Sequence, residues 1–208
     1  MAAVVALAEI LEARSVWRGP ARGPSTPALH PTGLAELDAR LPSGGWPASS
    51  LSEILIPGDG VGELSLLLPT LSRLTQAGER IAIVAPPYQL HAPGWHNAGV
   101  ALDRVEVVEA TNPKDALWAT EQCLRSAACA AVLSWPIKAD DRALRRLQVA
   151  AETGQALGFA FRDAREARNP SPAALRLQMD ARARELRVLK CRGGLAPPNP
   201  IAFDLPWH

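Results

Sequence analysis

Five short apolar runs, separated by stretches with helical periodicity, constrain the fold of this chain more than any other feature. Each run has the length of a buried strand, and amphipathic segments follow the first, third and fourth of them. Buried strands that alternate with helices predict βαβ units and a mostly parallel sheet flanked by helices. The predicted strands are 51–57, 80–86, 104–110, 130–135 and 156–163.

The two ends of the chain have a different character from this α/β centre. Two alternating segments around the polar turn at 181–185 predict a C-terminal antiparallel hairpin. The sequence predicts an N-terminal helical arm at 1–18 and a linker rich in proline and glycine at 19–32. The remaining residues, 33–208, form one predicted core domain.

Composition excludes several classes of protein. The formal net charge is +1, so the whole molecule exerts no long-range attraction on nucleic acid or on a membrane. The three cysteines have neither a CxxC spacing nor a disulfide framework, and no apolar run reaches the roughly 18 residues of a membrane span. The first residues carry acids and no basic start, unlike a signal peptide. A cytoplasmic protein is expected.

The turn after the first strand stands where nucleotide-binding proteins of this architecture keep the phosphate loop GxxxxGK[ST]. With Gly62 as the last glycine of that motif, Glu63 takes the place of the lysine and Leu64 that of the metal-binding hydroxyl. A carboxylate about 4 Å from a phosphate is repelled by roughly 4 kcal/mol at an effective dielectric of 20. We therefore interpret the loop with Gly58, Gly60, Gly62 and Glu63 as a structural relic and expect no cofactor.

The end of the fourth strand supports the same interpretation. ATPases of this architecture usually place an aspartate there to hold Mg²⁺, whereas this chain has Trp135 and Pro136. The next acids, Asp140 and Asp141, fit the first turn of a helix, where the helix dipole favours negative charge. No Ser/His/Asp arrangement, Cys/His arrangement or metal cluster can be argued from the sequence, so we expect no catalytic residues and no enzyme.

The order of these segments resembles bacterial RecA recombinase over roughly residues 30–204, including the lead-in TGLAELDARLPSGGWPASSLSEI and the final LRVLKCRGGLAPPNPIAFDL. The resemblance implies a RecA-like core. It places Trp95 at the position of the RecA aromatic residue that stacks on adenine. The alternative is that Trp95 is an ordinary residue of the core or its rim. The resemblance places Lys190 and Arg192 at the basic pair that reaches a neighbouring subunit, with a solvated strand face as the alternative.

The DNA-binding loops of RecA are shortened in this chain. The loop after the fourth strand is missing, and the loop after the fifth is reduced to 162–172, with Arg162, Arg165 and Arg168. These arginines suit contact with DNA phosphates or with an acidic partner surface. An exposed polar turn is the alternative.

A RecA-like core without these elements resembles the ImuA family, accessory factors of bacterial translesion synthesis. That resemblance implies a non-catalytic adaptor of SOS-induced mutagenesis. Its expected partners are RecA, a Y-family polymerase-like subunit and an error-prone replicative-type DNA polymerase, with DNA contact at most weak or indirect. The arm, which carries an apolar stripe, is expected to dock on a partner; the alternative is packing on its own core. The stripe residues are Val4, Leu7, Ile10 and Leu11.

Two other functions stay open at this point. One is a cell-division inhibitor of the SulA type, which would bind the tubulin-like division protein. The other is an active RecA-like ATPase with an atypical loop. Several tryptophans in predicted loops or ends are candidate partner anchors, with capping of the core edges as the alternative. They are Trp17, Trp46, Trp95 and Trp207.

Overall fold

Alternating buried strands and amphipathic helices build a mixed α/β structure around one sheet. The computed structural model describes residues 30–136 and 138–203. The predicted arm at 1–18, with Val4, Leu7, Ile10 and Leu11, lies outside the described residues, as do Trp17 and Trp207. The strands are β1 (Leu51–Ile56), β2 (Ile81–Val84), β3 (Val105–Val108), β4 (Ala131–Ser134), β5 (Leu157–Asp163), β6 (Leu175–Asp180), β7 (Glu185–Cys191) and β8 (Ile201–Ala202).

The eight strands lie in the order β3-β2-β4-β5-β1-β6-β7-β8. The first six in this order pair in parallel, and β6–β7 and β7–β8 pair antiparallel. The five predicted strands and the C-terminal hairpin are therefore confirmed. Strand β8 was expected only from the RecA resemblance of the final segment, because a pair of residues is too short to show a period.

The helices cover both faces of the sheet. The α-helices are α1 (Ala35–Arg40), α2 (Leu68–Gln76), α3 (Ala92–Asn97), α4 (Pro113–Arg125) and α5 (Asp141–Gly154). Residues of α1, α2 and α3 share one apolar core, whereas residues of α4 and α5 pack in a second one. Within the described residues, no helix has the length and apolar character needed to cross a membrane.

Short polar side chains fix the beginnings of the two long helices. Asn112 accepts a hydrogen bond from the backbone N–H of Asp115 at 2.9 Å, and Asp140 accepts one from Ala143 at 2.7 Å. Each removes one unsatisfied donor from a helix N-terminus. The predicted position of Asp140 and Asp141 at the start of a helix is confirmed.

The helix after the phosphate-loop position differs from the sequence prediction. The sequence from Gly62 to Gly78 has a helical pattern throughout, but Glu63–Leu66 form a 3₁₀ helix and α2 begins only at Leu68. Pro69 is the cause, because proline has no N–H for an i→i−4 bond and is accommodated only in the first turn of an α-helix.

The last residues of the predicted linker are part of the fold. The His30 carbonyl accepts a hydrogen bond from the Trp46 N–H at 2.8 Å, and Thr32 is buried. Gly45 permits this approach, because a Cβ at that position would lie 2.2 Å from the His30 oxygen. The lead-in segment is therefore held against the first core.

Two tryptophans proposed as partner anchors belong to that core. Trp46 is 2% exposed, donates a hydrogen bond from Nε1 to the Thr70 hydroxyl at 2.8 Å and packs edge-on against Phe159. Trp95 is 6% exposed. Both rings are largely covered by the core, which favours the alternative that these tryptophans cap the core edges.

Candidate functional site

The loop after β1 is closed by one of its own side chains. Gly60 and Gly62 have φ of 75° and 88°, a left-handed conformation that glycine adopts without strain, and they turn the chain sharply into Glu63. The Glu63 carboxylate is 1% exposed and accepts hydrogen bonds from the Gly60 N–H at 3.1 Å and the Tyr88 hydroxyl at 2.5 Å. The predicted tight turn is present.

The direction of Glu63 is a correction to the sequence interpretation, which aimed this carboxylate at the phosphate position. The Glu63 carboxylate points inward and accepts a hydrogen bond from a loop N–H. In nucleotide-binding proteins, N–H groups of this kind bind phosphate. Burial and the hydrogen bond to Glu63 raise the pKa of Tyr88. Burial and the nearby Glu63 charge also raise the pKa of Asp59. Both shifts favour the neutral forms of these groups beside the Glu63 carboxylate.

Three aromatic side chains pack together beside this loop. Trp135 stacks on Phe161 at 4.9 Å between ring centroids, and Tyr88 packs edge-on against Trp135 at 5.9 Å. The group borders a cavity of about 260 Å³ that Asp59, Lys138 and other residues also line. Trp135, predicted to stand where an ATPase holds its magnesium ligand, therefore extends the core to the strand end.

Charged side chains buried between strands form a network below that cavity. Glu53 of β1 is 0% exposed and contacts Arg162 of β5 at 2.7 Å and Arg176 of β6 at 2.5 Å. Arg162 also reaches Glu166 at 3.1 Å, and Arg176 donates to the carbonyls of Glu166 and Asn169. The network ties three strands to the segment after β5.

Arg162 therefore cannot contact DNA or an acidic partner as predicted. Its side chain is 5% exposed, because Glu53 and Glu166 compensate its charge inside the fold. Arg165 and Arg168 are exposed on the 3₁₀ segment Ala164–Arg168, as the prediction requires. The structure separates the three arginines into one structural residue and two surface residues.

Lys190 and Arg192 lie at the end of β7, on the exposed surface. The Lys190 ammonium group donates to the Ser171 carbonyl at 2.8 Å, and Arg192 pairs with Glu152 at 3.5 Å. Burial, followed by the neighbouring charges of Arg176 and Arg192, lowers the pKa of Lys190. Both residues are accessible, and their role in binding a partner stays a prediction.

A larger groove lies at the opposite end of the sheet, along the edge strand β3. It has a volume of about 790 Å³, and its lining includes Trp95, Leu102, Val107 and Glu109. Leu102 and Val107 are 39% and 51% exposed, which is high for apolar side chains of this size. Trp95 contributes to the wall of this groove while packed in the core, so little of its ring is open for stacking on adenine.

Sequence reasoning did not find this groove or the Glu53 network. The signal for the network was present, because a glutamate inside a fully apolar strand and arginines in two others are rarely buried unless paired. The groove had no such signal, since the apolar residues of β3 would look the same in the sequence whether they were buried or exposed. Only the position of β3 at the sheet edge exposes them.

These features define a class: a parallel α/β domain whose phosphate-loop position is occupied by an internal carboxylate. The family model described as "Cell division inhibitor SulA" matches residues 50–158, slightly more than half of the chain. The chain belongs to the SulA family. The match extends from just before β1 to the start of β5 and includes the groove beside β3 and the closed loop.

Individual relatives agree with this family. Proteins named "Cell division inhibitor SulA" from Yersinia pestis (strain Pestoides F) and Yersinia pseudotuberculosis serotype O:1b (strain IP 31758) are each 30% identical over 99 residues, 47% of this chain. The match spans 58% of the length of these relatives. The crystal structure of SulA from Pseudomonas aeruginosa is 30% identical, with a TM-score of 0.47 over 56% of this chain and 98% of that chain.

The family match overturns the main functional expectation from the sequence. Assignment to the ImuA family is not supported, and the expected adaptor of translesion synthesis, with RecA and polymerases as partners, is wrong. The altered phosphate loop prompted that assignment. An altered loop is compatible with both families, however, and so cannot choose between them.

Proposed function

We propose that this chain is a non-catalytic, cytoplasmic cell-division inhibitor that acts by binding the tubulin-like division protein. The observation that carries the proposal is the match of residues 50–158 to the SulA family. A RecA-like ancestry of the core is part of the same proposal. The internal hydrogen bonds of Glu63 support the absence of nucleotide chemistry.

The groove beside β3 is the surface we assign to the division protein. Strand β3 pairs only with β2 in the described sheet, so its outer backbone N–H and C=O groups face away from the sheet. An exposed edge with apolar side chains can accept an additional strand or loop from a partner. Val107 and Leu102 provide the apolar contact, and the cavity provides space for a partner side chain.

A Val107→Asp variant is expected to lose division arrest. Expression of the wild-type chain in undamaged bacterial cells should produce filaments, scored by microscopy, because the inhibitor would act without any DNA lesion. An aspartate in the centre of the groove would have to be desolvated on binding, which costs several kcal/mol when it is left unpaired. We expect at least a tenfold loss of affinity for the purified division protein.

Val149→Asp is the matched control for this experiment. Val149 is 48% exposed, close to the 51% of Val107, but lies on α5 across the sheet from α3. It should filament cells like the wild type. If wild-type expression leaves cell length unchanged and the purified chain does not bind the division protein, the proposed function is wrong. If both variants behave alike, only the assigned surface is wrong.

The purified chain is expected not to bind Mg-ATP at micromolar concentrations. The Gly60 N–H is already hydrogen-bonded to Glu63, and in the described loop Glu63 stands where a phosphate-binding lysine would be needed. Isothermal titration with Mg-ATP, with a P-loop ATPase as the positive control, measures this directly. Saturable micromolar binding would contradict this expectation, and steady release of phosphate would show that the chain is an enzyme.

A further inference from the structure

The C-terminal strands carry a concentration of positive charge outside the segment that matches the family. Strand β7 has Leu186 and Val188 buried and Arg187 exposed, and a register shift before Lys190 interrupts its alternation. Lys190 is exposed further along the same strand. These basic side chains therefore project from the sheet while the apolar ones fill the core.

Strand register brings this charge next to the segment after β5. Arg187 stands directly opposite Gln178 of β6, a separation of about 5 Å between Cβ atoms. Gln178 lines a cavity of about 500 Å³ together with Arg165 and Arg168. Residues distant in sequence thus form one continuous face, which we call the basic surface: Arg165, Arg168, Arg187 and Lys190.

Few of these charges form a close ion pair within the described residues, and the acids Asp180 and Glu185 occupy the next paired positions on the same face. Arg168 and Arg187 have no acidic partner there, and Arg165 reaches only Asp163, at 3.8 Å with 92% of its own side chain exposed. Lys190 donates to a carbonyl, which leaves its charge in place. Burial, followed by the neighbouring charges of Arg176 and Arg192, lowers the pKa of Lys190.

Hydrogen bonds from a buried arginine hold the backbone beneath the basic surface in place. Arg176, buried below it, donates from one Nη to the Asn169 carbonyl and from the other to the Glu166 carbonyl, both at 2.9 Å. These bonds hold the 3₁₀ segment that carries Arg165 and Arg168 against β6. A surface whose backbone is already ordered loses less entropy on binding than a mobile loop does.

We propose that the basic surface binds a short acidic segment of a partner protein. Carboxylates would form charge-assisted hydrogen bonds with the guanidinium groups, which provide paired donors in a planar geometry. A nucleic acid is disfavoured for two reasons. The basic surface contains no aromatic side chain on which a base could stack, and a long polyanion would meet a molecule whose net charge is only +1. This goes beyond the proposed function, since it assigns a second surface.

The test uses the purified full chain and a fluorescein-labelled peptide of alternating glutamate and glycine, followed by fluorescence anisotropy. We expect binding that weakens as NaCl increases, because the contacts are electrostatic. Arg187→Glu should weaken it about tenfold, a change of about 1.4 kcal/mol. Arg142→Glu is the matched control, an exposed arginine on α5 without an acidic partner in the described part, and should bind like the wild type.

Three results would overturn the proposal. The first is no binding of the peptide at low salt, and the second is an equal effect of Arg187→Glu and Arg142→Glu. The third is tighter binding of an oligothymidylate or a DNA duplex that depends on Arg187, which would assign the surface to nucleic acid. Thermal melting of each variant verifies the fold. Val107→Asp should retain peptide binding, so failure here is independent of the division-protein experiment.

Discussion

Glu53→Gln is expected to lower the free energy of unfolding by about 3–5 kcal/mol, the cost of breaking a buried ion pair while one side remains charged. Glutamine has nearly the same shape, so the change removes charge without leaving a cavity. Arg162 would retain Glu166, but Arg176 would have only carbonyls around its guanidinium group. Urea denaturation measures the loss, and the thermal midpoint should fall by roughly 6–20 °C.

Glu106→Gln is the control, because Glu106 makes the same kind of contact at the surface. It pairs with Arg80 at 3.2 Å, and both side chains are more than half exposed. An exposed pair contributes about 0–1 kcal/mol, so this variant should unfold close to the wild type. Equal losses in the two variants would contradict a structural role for the buried network.

The double variant Glu53→Leu, Arg176→Leu tests whether the stability lost in Glu53→Gln comes from the unpaired charge or from packing. Hydrophobic replacement of a complete buried pair is often neutral, so we expect the double variant to recover much of the stability lost by Glu53→Gln. The segment Ala164–Arg168 would still lose its tethers to Arg176. Faster amide hydrogen exchange in that segment, at near-normal global stability, is the expected signature.

The centre of the sheet could be predicted from the sequence because strands β1, β2, β4 and β5 are buried on both faces. Such strands appear as continuous apolar runs, and runs separated by helical patterns leave few topologies open. Strand β6 shows the limit of this reasoning. Its alternation predicts a hairpin with β7, but its parallel pairing with β1 depends on Leu51–Ile56, which is far away in sequence.

The site was less predictable, because its features depend on pairs of residues that only the fold brings together. Glu63 is adjacent to the phosphate loop in sequence, which suggested a ligand-facing carboxylate. Tyr88 follows the next strand, and its hydroxyl is one of two groups that satisfy Glu63 inside the core. Arg162 was assigned to the surface for the same reason, since its partner Glu53 lies more than one hundred residues earlier.

Trp46→Ala is expected to cost about 3–5 kcal/mol of unfolding free energy, the range for removal of a large aromatic side chain from a core. The indole fills space against Phe159 and donates to Thr70, so alanine would leave a cavity and remove the hydrogen bond that the Thr70 oxygen accepts. Trp46→Phe retains a ring and loses the hydrogen bond, with an expected cost of about 1–2 kcal/mol. Urea denaturation of both variants measures these losses.

Trp118→Ala is the reference for this series, because Trp118 is 63% exposed on α4. Its stability should change by no more than about 0.5 kcal/mol, as for most surface substitutions. The series also decides between a core residue and a partner anchor at position 46. A core role predicts that Trp46→Phe, once folded, binds the division protein as the wild type does. A Trp46→Ala chain of normal stability that cannot bind would instead make this tryptophan an anchor.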